Sequence, residues 1–181
     1  MKVFNIFNKI VCLIFLTALL FSCAKSKHKI GSIYKGGYVF KINIFGHGLC
    51  AAPSDYWKPI GWGCYGTLIN GADGEKIGTG QQNTDDILAG CTQYGPFAAK
   101  VCDELVVDNY DDWYLPSIEE LQLMQRELYV QSFGAFKAAE YWSSTQNFSL
   151  GAWKVDFTTG EKGNNANKAN AGIRVRAIRS F

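Results

Sequence analysis

Six cysteines are the residues of this 181-residue chain with the most evident covalent chemistry. Cys12 and Cys23 belong to an apolar N-terminal segment. The other four are Cys50, Cys64, Cys91 and Cys102. In a chain that leaves the cytoplasm, an even number of cysteines predicts disulfides, and four cysteines allow three pairings. Zinc is not expected, because no C-x-x-C is present and His47 is the one histidine nearby.

Catalytic residue types are sparse. A Ser/His/acid hydrolase needs a base beside its nucleophile, and His47, flanked by glycines, is the single histidine of residues 35–181. Acids cluster at 85–86 and 108–112, beside predicted helix starts or turns, where carboxylates bind backbone N–H groups. Residues 70–75 resemble a calcium loop only faintly, without its regular acidic spacing. We therefore expect no catalysis, no metal site and no cofactor, with calcium as the open alternative.

Aromatic and polar side chains in the loops could recognise a sugar, because a ring can cover one sugar face while amides and cations bind hydroxyls. The candidate ligand-binding residues are Trp57, Trp62, Tyr65, Asn165, Lys168, Arg174 and Arg176. The first three lie in the glycine-rich region 53–82, which has no apolar period and predicts a long ordered loop. The two arginines share one strand face and could bind sulfate or carboxylate groups. Alternatively, the tryptophans fill the core of a loop-rich domain.

The elements that must position these residues follow from apolar periodicity. The predicted strands are 37–44, 49–52, 141–145, 153–157 and 173–181. The predicted helices are about 83–89, about 97–107 and 118–128. The last of these begins with a capping box of Ser117 and Glu120. Asn83 or Thr84 is expected to cap the first helix, and the Asn-rich residues 163–172 predict a polar loop.

The N-terminus predicts export and a lipid anchor. Lys2 and Lys9 precede an apolar run of 12 residues. The run suits a signal peptide and is shorter than the about 20 residues that are needed to span a bilayer. The run ends in LFSC, which resembles a bacterial lipobox, so 1–22 is the predicted signal peptide and Cys23 the lipidated residue. An ordinary secretory signal is the alternative. Residues 23–34 form a basic tether without an Asp after the cysteine, which favours the outer membrane, on either face.

Composition limits the partners. Without residues 1–22 the chain has 16 basic and 16 acidic residues, and a neutral chain does not predict nucleic-acid binding. The charge is uneven, because residues 23–54 contain five lysines and no acid. All 19 glycines lie in the mature part, which indicates a turn-rich fold, and the length fits one domain, residues 35–181.

Four ordered motifs are recognisable together: WYLPSIEEL (113–121), YWSST (141–145), AWKVDFTTG (152–160) and RVRAIRSF (174–181). The set resembles the Lcl C-terminal domain family, which is grouped with C-type lectin-like folds, and GWGCYG (61–66) resembles its bacterial lipoprotein branch. The resemblance covers about residues 35–181. It implies an α+β, C-type lectin-like domain with a small mixed antiparallel sheet, two main helices, long loops and paired N- and C-terminal strands.

The resemblance implies no shared catalytic motif. Adhesion or glycan binding is the function usually inferred for members of this family. We therefore expect a non-catalytic binding module of the cell envelope that recognises a glycan or another polymer. One alternative is a protein-interaction or adhesin module, which predicts an exposed apolar patch. The other is an envelope hydrolase, which predicts acids that converge in a cleft. The expected partners are a glycan or protein ligand, and the membrane through the lipid anchor.

Overall fold

The structure, a computed structural model, describes residues 28–181. The predicted signal peptide, Cys23 and residues 24–27 of the predicted tether lie outside the described residues. Within the described range, no helix has the length and apolar character needed to cross a membrane.

The domain is α+β, as expected. In chain order its elements are β1 (Ile33–Tyr34), β2 (Gly37–Ile42), β3 (Gly48–Ala51), α1 (Gly80–Gly90), α2 (Ala98–Asp103), α3 (Ile118–Met124), a π-helical turn (Gln125–Tyr129), β4 (Glu140–Phe148), β5 (Gly151–Asp156), β6 (Lys162–Asn167) and β7 (Ile178–Ser180). The strands form two antiparallel sheets, ordered β1-β2-β3-β7 and β4-β5-β6. The three helices correspond to the three that apolar periodicity predicts, whereas the strands divide into two sheets and not one.

The N- and C-terminal strands pair, as predicted. Strand β7 lies antiparallel to β3, with Cys50 opposite Arg179. Beyond β7, Phe181 and Gly48 exchange backbone hydrogen bonds of 2.9 and 3.0 Å. The last residues of the chain therefore close the first sheet.

The segment before β7 connects the two sheets. Arg174 forms an isolated parallel bridge with Tyr141 of β4, and the carbonyls of Val175 and Ala177 accept hydrogen bonds from the amides of Tyr56 and Ala52. The predicted strand 173–181 is therefore regular only in its last part, because the earlier part has an irregular loop as its neighbour on one side. The predicted alternation of its side chains still holds, since both arginines of this segment contact one carboxylate.

Strand β6 corrects the prediction of a polar loop over 163–172. Residues Lys162–Asn167 pair with β5, and Ala166 lies opposite Ala152. Ala166 is the one buried residue of the strand. An edge strand with a solvated face needs few apolar residues, so its sequence shows no apolar alternation.

Helix α3 begins as predicted. The Ser117 hydroxyl accepts a hydrogen bond from the Glu120 amide, and the Glu120 carboxylate accepts one of 2.9 Å from the Ser117 amide. Residues Ile118, Leu121 and Met124 are fully buried. The Glu120 carboxylate also accepts a hydrogen bond from the amide of Gly78, so the cap fixes the end of the long loop as well.

Helix α1 begins earlier than predicted. It is preceded by Thr79, and neither Asn83 nor Thr84 caps it. Both side chains instead point into the domain: Asn83 bonds to the backbone of Gly74, and the Thr84 hydroxyl donates to the carbonyl of Gly80. Asn83 therefore holds the glycine-rich loop against the helix, and Thr84 connects the helix to the backbone of Leu115.

The cysteines only partly follow the expectation. Cys64 and Cys91 form a disulfide with a Cα–Cα distance of 5.6 Å. Cys50 and Cys102 are buried free thiols, so the prediction that all four form disulfides is wrong for this pair. Both belong to the same apolar cluster, and burial raises the pKa of the Cys50 thiol to about 11. They act as small apolar side chains of the core.

Candidate binding clefts

The structure separates the seven candidate ligand-binding residues. Trp57 lines one cleft, Tyr65 and Lys168 line a second, and the two arginines converge on a buried carboxylate. Trp62 is fully buried, and its indole N–H donates a hydrogen bond of 2.8 Å to the carbonyl of Ser143. The alternative interpretation, that a tryptophan of the loop fills the core, is therefore correct for Trp62. Asn165 is exposed on β6 and lines neither cleft.

Arg176 is not available to a ligand, which corrects the prediction for this residue. It is buried, and its Nε donates a hydrogen bond of 2.7 Å to the Asp55 carboxylate. Its Nη1 donates to the carbonyls of Ala52 and Gly134, at 2.8 and 2.9 Å. The guanidinium also lies 3.9 Å from the ring centroid of Phe136. The cation is thus held by several partners inside the domain.

The same carboxylate has two further partners. The Tyr141 hydroxyl donates a hydrogen bond of 2.9 Å to Asp55, and Arg174 Nη1 lies 3.4 Å from the same oxygen. Burial and the neighbouring carboxylate raise the pKa of Tyr141 above its usual value, so the phenol remains a donor. Arg174 is only partly buried, and it is the arginine of this group that still reaches solvent.

The first cleft, hereafter the Trp57 cleft, encloses about 190 Å³. Its lining residues are Ala52, Pro53, Ser54, Asp55, Tyr56, Trp57, Val101, Cys102, Leu105, Val107, Val175 and Ala177. The Trp57 side chain is 75% exposed. The Nζ of Lys58 lies 4.5 Å from its ring centroid. The cleft therefore combines an exposed indole, an adjacent cation and a polar end at Ser54.

The second cleft, hereafter the Tyr65 cleft, encloses about 270 Å³ beside the disulfide. Its lining residues are Gly61, Gly63, Tyr65, Gln93, Pro96, Lys168 and Ala169. The Gln93 side chain accepts a hydrogen bond of 2.9 Å from the Cys64 amide, which adds to the covalent bond between the two loops. Gly63 has φ +109°, and a Cβ there would lie 2.9 Å from Phe97. The wall of this cleft thus requires glycine.

Lys168 is buried and structural, which corrects its prediction as a ligand-binding residue. Its ammonium donates to the Thr67 carbonyl at 2.9 Å and to the Gln146 side chain at 3.0 Å. It also lies 4.3 Å from the ring centroid of Trp62. None of these partners is a carboxylate, and burial lowers the pKa of Lys168 from 10.5 to about 8.

The free energy of unfolding of the wild type is expected to rise above pH 8, and replacing Lys168 by methionine is expected to abolish this rise. The folded chain releases this proton near pH 8, whereas the unfolded chain keeps it to about pH 10.5. Between these values the unfolded state binds more protons, so the free energy of unfolding increases with pH, by about 1 kcal/mol or more. Urea unfolding of both proteins between pH 7 and 10 measures the difference. Lys100→Met, at a more exposed lysine, should retain the rise, and parallel curves for wild type and Lys168→Met would contradict the assignment.

Carboxylates do not converge in either cleft. Asp55 is the one acid among the residues that line them, and it is engaged as described above. The acids at 85–86 accept hydrogen bonds from Gln81 and Gln82 on the same helix. In residues 28–181, no group of three or more His, Cys, Asp or Glu side chains is placed to hold a metal ion.

Sequence reasoning missed the most connected residue of this region. Asp55 received no role because its partners Tyr141, Arg174 and Arg176 lie far away in the sequence. The sequence contained one signal for Asp55. It is the first acid after residues 23–54, which contain five lysines and no acid, and two arginines near the C-terminus need a negative partner.

The fold and the clefts define a small α+β domain whose candidate binding surfaces are built largely from irregular loops. Residues 74–179 match the sequence profile of the Lcl C-terminal domain. Because the match spans more than half of the chain, the protein belongs to this family. A search among curated proteins found no match. Trp57 and Tyr65 precede the matched segment, whereas Arg174 and Lys168 lie within it.

Proposed function

We propose that this protein is a non-catalytic binding module of the cell envelope that recognises a glycan or a similar polymer in the Trp57 cleft. We further propose that Cys23 carries a lipid anchor in the outer membrane. The observation that carries the binding proposal is the exposed indole of Trp57 at the edge of a concave cleft.

The chemistry of the Trp57 cleft suits a sugar. An indole has two flat apolar faces that can stack on the C–H groups of a sugar ring. Lys58 lies over one face of Trp57, and the residue as a whole is 75% exposed. Ser54 and the backbone around it supply hydrogen-bonding groups, and Lys58 beside the ring supplies a positive charge. The cleft is smaller than most pockets for drug-sized ligands, which suits one unit of a longer polymer.

The proposal of a non-catalytic role is supported by the state of Asp55. Glycoside hydrolysis uses two carboxyl groups on opposite sides of the scissile bond. The Trp57 cleft contains one, and Arg176 and Tyr141 already bind both of its oxygens. His47, the histidine that sequence analysis considered as a base, lies on the β2–β3 turn and not in a cleft.

Replacing Trp57 by alanine is expected to weaken glycan binding at least about tenfold, a loss of about 1.4 kcal/mol. A glycan and polysaccharide array with the purified chain identifies the ligand, and titration then compares the variants. Tyr65→Ala tests the second cleft, and Tyr94→Ala, at a fully exposed ring that lines neither cleft, is the matched control. All three side chains are exposed to half or more, so the variants should fold.

The outcomes distinguish the proposals. A loss of binding in Trp57→Ala alone supports the Trp57 cleft, and a loss in Tyr65→Ala alone moves the site to the Tyr65 cleft. Arrays with calcium and with a chelator decide whether calcium takes part. A blank array with folded protein would overturn the glycan proposal in favour of a protein-interaction module.

A further inference from the structure

We propose that the turn between β2 and β3, residues 43–47, seats the domain on the surface of an anionic lipid bilayer. This inference rests on the proposed lipid anchor at Cys23 and is independent of the proposed glycan site. The turn is hereafter called the hairpin tip.

The hairpin tip presents two large apolar side chains to solvent. Ile44 and Phe45 are each 79% exposed and adjacent. The side chain of Asn43 accepts hydrogen bonds from the amides of Phe45 and His47, at 2.9 and 3.1 Å. The Asn43 amide donates to the His47 carbonyl at 2.8 Å. The turn is therefore held by its own hydrogen bonds while its apolar side chains point away from the domain.

The tether joins the domain next to aromatic rings that contact the base of this hairpin. The ring of His28, the first described residue, stacks on Tyr34 with 3.5 Å between centroids. Tyr34 in turn meets the edge of Phe181 at 5.1 Å. Phe181 exchanges backbone hydrogen bonds with Gly48, which pairs with Ile42 at the base of the hairpin. A short chain of contacts thus connects the start of the domain to the hairpin.

Covalent geometry limits how far the domain can move from the anchor. Four residues lie between Cys23 and His28, and the five steps from one Cα to the other reach at most about 18 Å when fully extended. A lipid on Cys23 would therefore keep His28 within about this distance of the bilayer surface. Ile44 and Phe45 are exposed apolar side chains on the hairpin whose base contacts this end of the domain through Tyr34 and Phe181, so this position allows them to reach the lipid.

Charge around the hairpin favours an anionic surface. Lys29, next to the first described residue, and Lys41, near the end of β2, are both exposed. Residues 23–54 as a whole contain five lysines and no acid. Apolar side chains flanked by lysine are typical of segments that lie in the headgroup region, where basic residues attract anionic lipids.

The test places an environment-sensitive dye at the hairpin tip of the full chain. Ile44→Cys supplies a thiol for the dye, since Cys50 and Cys102 are buried and Cys64 is in the disulfide. The chain is expressed in an exporting bacterium, its lipid is verified by mass, and it is reconstituted into vesicles of phosphatidylethanolamine and phosphatidylglycerol. In these vesicles we expect the dye to emit at shorter wavelengths than in buffer without vesicles or detergent. We also expect nitroxide-labelled lipids to quench its emission.

Matched variants define the cause of the signal. Phe45→Ser in the labelled chain should reduce the quenching, Phe45→Leu should retain it, and a dye at Tyr94→Cys should emit as in water. Phosphatidylcholine vesicles or high salt should weaken the contact, because both remove the attraction to lysine. The exposed substitutions should leave the unfolding midpoint unchanged.

Three results would overturn the inference. A lipidated chain whose tip dye stays in water shows that the tip does not contact lipid. Self-quenching of the dye without quenching by labelled lipid identifies the tip as a contact between copies of the chain. A chain without lipid on Cys23 removes the anchor on which the inference rests, and the glycan-binding proposal is unaffected by that result.

Discussion

Replacing Arg176 by alanine is expected to lower the free energy of unfolding by about 3–5 kcal/mol, because the substitution leaves the charge of Asp55 buried without its main partner. The change removes three hydrogen bonds and the packing of the guanidinium on Phe136. It also leaves the carbonyls of Ala52 and Gly134 without this donor. Urea unfolding at pH 7 measures the loss, with the slope of the transition as a check on cooperativity.

Two further variants show that the loss comes from an uncompensated charge. Arg126→Ala breaks an exposed ion pair with Glu127 and should change stability by at most about 1 kcal/mol. Combining Arg176→Met with Asp55→Asn removes both charges and should recover part of the loss, since a buried pair contributes little net stability over a neutral replacement. A single Arg176→Ala variant within 1 kcal/mol of wild type would contradict a buried network.

Removing the disulfide by Cys64→Ala with Cys91→Ala is expected to lower the free energy of unfolding by about 3 kcal/mol. The bond joins two residues that lie 27 positions apart in the sequence, and its loss gives the unfolded chain more conformational freedom. The loop carries Tyr65 and α1, so the variant also loosens one wall of the Tyr65 cleft. Unfolding in urea without reductant compares the variant with the wild type.

Reductant and peptide mapping complete this test. A reducing agent should destabilise the wild type by the same amount and leave the double variant unchanged. Non-reducing digestion should yield one linked peptide pair, and Cys50 and Cys102 should react with an alkylating agent only after denaturation. A second linked pair between Cys50 and Cys102 would contradict their assignment as free thiols.

Local signals made part of the fold predictable from sequence. The Ser117–Glu120 cap and the apolar positions of α3 depend on residues three or four apart, and both were confirmed. The common face of Arg174 and Arg176 likewise follows from strand alternation, and both reach Asp55.

Features that depend on distant partners were not predictable. Arg176 and Lys168 are charged residue types that are seldom fully buried, and their burial depends on Asp55 and on Thr67, which lie 121 and 101 residues away. The even number of cysteines could not exclude free thiols, because disulfide pairing depends on the distance between the Cα atoms of two cysteines. Strand β6 has polar residues on its exposed face, so its sequence resembles a loop.

The pairing of β7 with β3 also determines when the domain can finish folding. Strand β3 pairs with Ile178–Ser180, so its second edge stays open until these residues have been synthesised. Contacts of such sequence separation form slowly. Meanwhile the three apolar residues of β3 (Leu49–Ala51) would be part of an open edge, which is a template for intermolecular pairing. A nascent chain therefore exposes an aggregation-prone strand until residues 178–181 cover it, and a chain that terminates before them leaves it exposed.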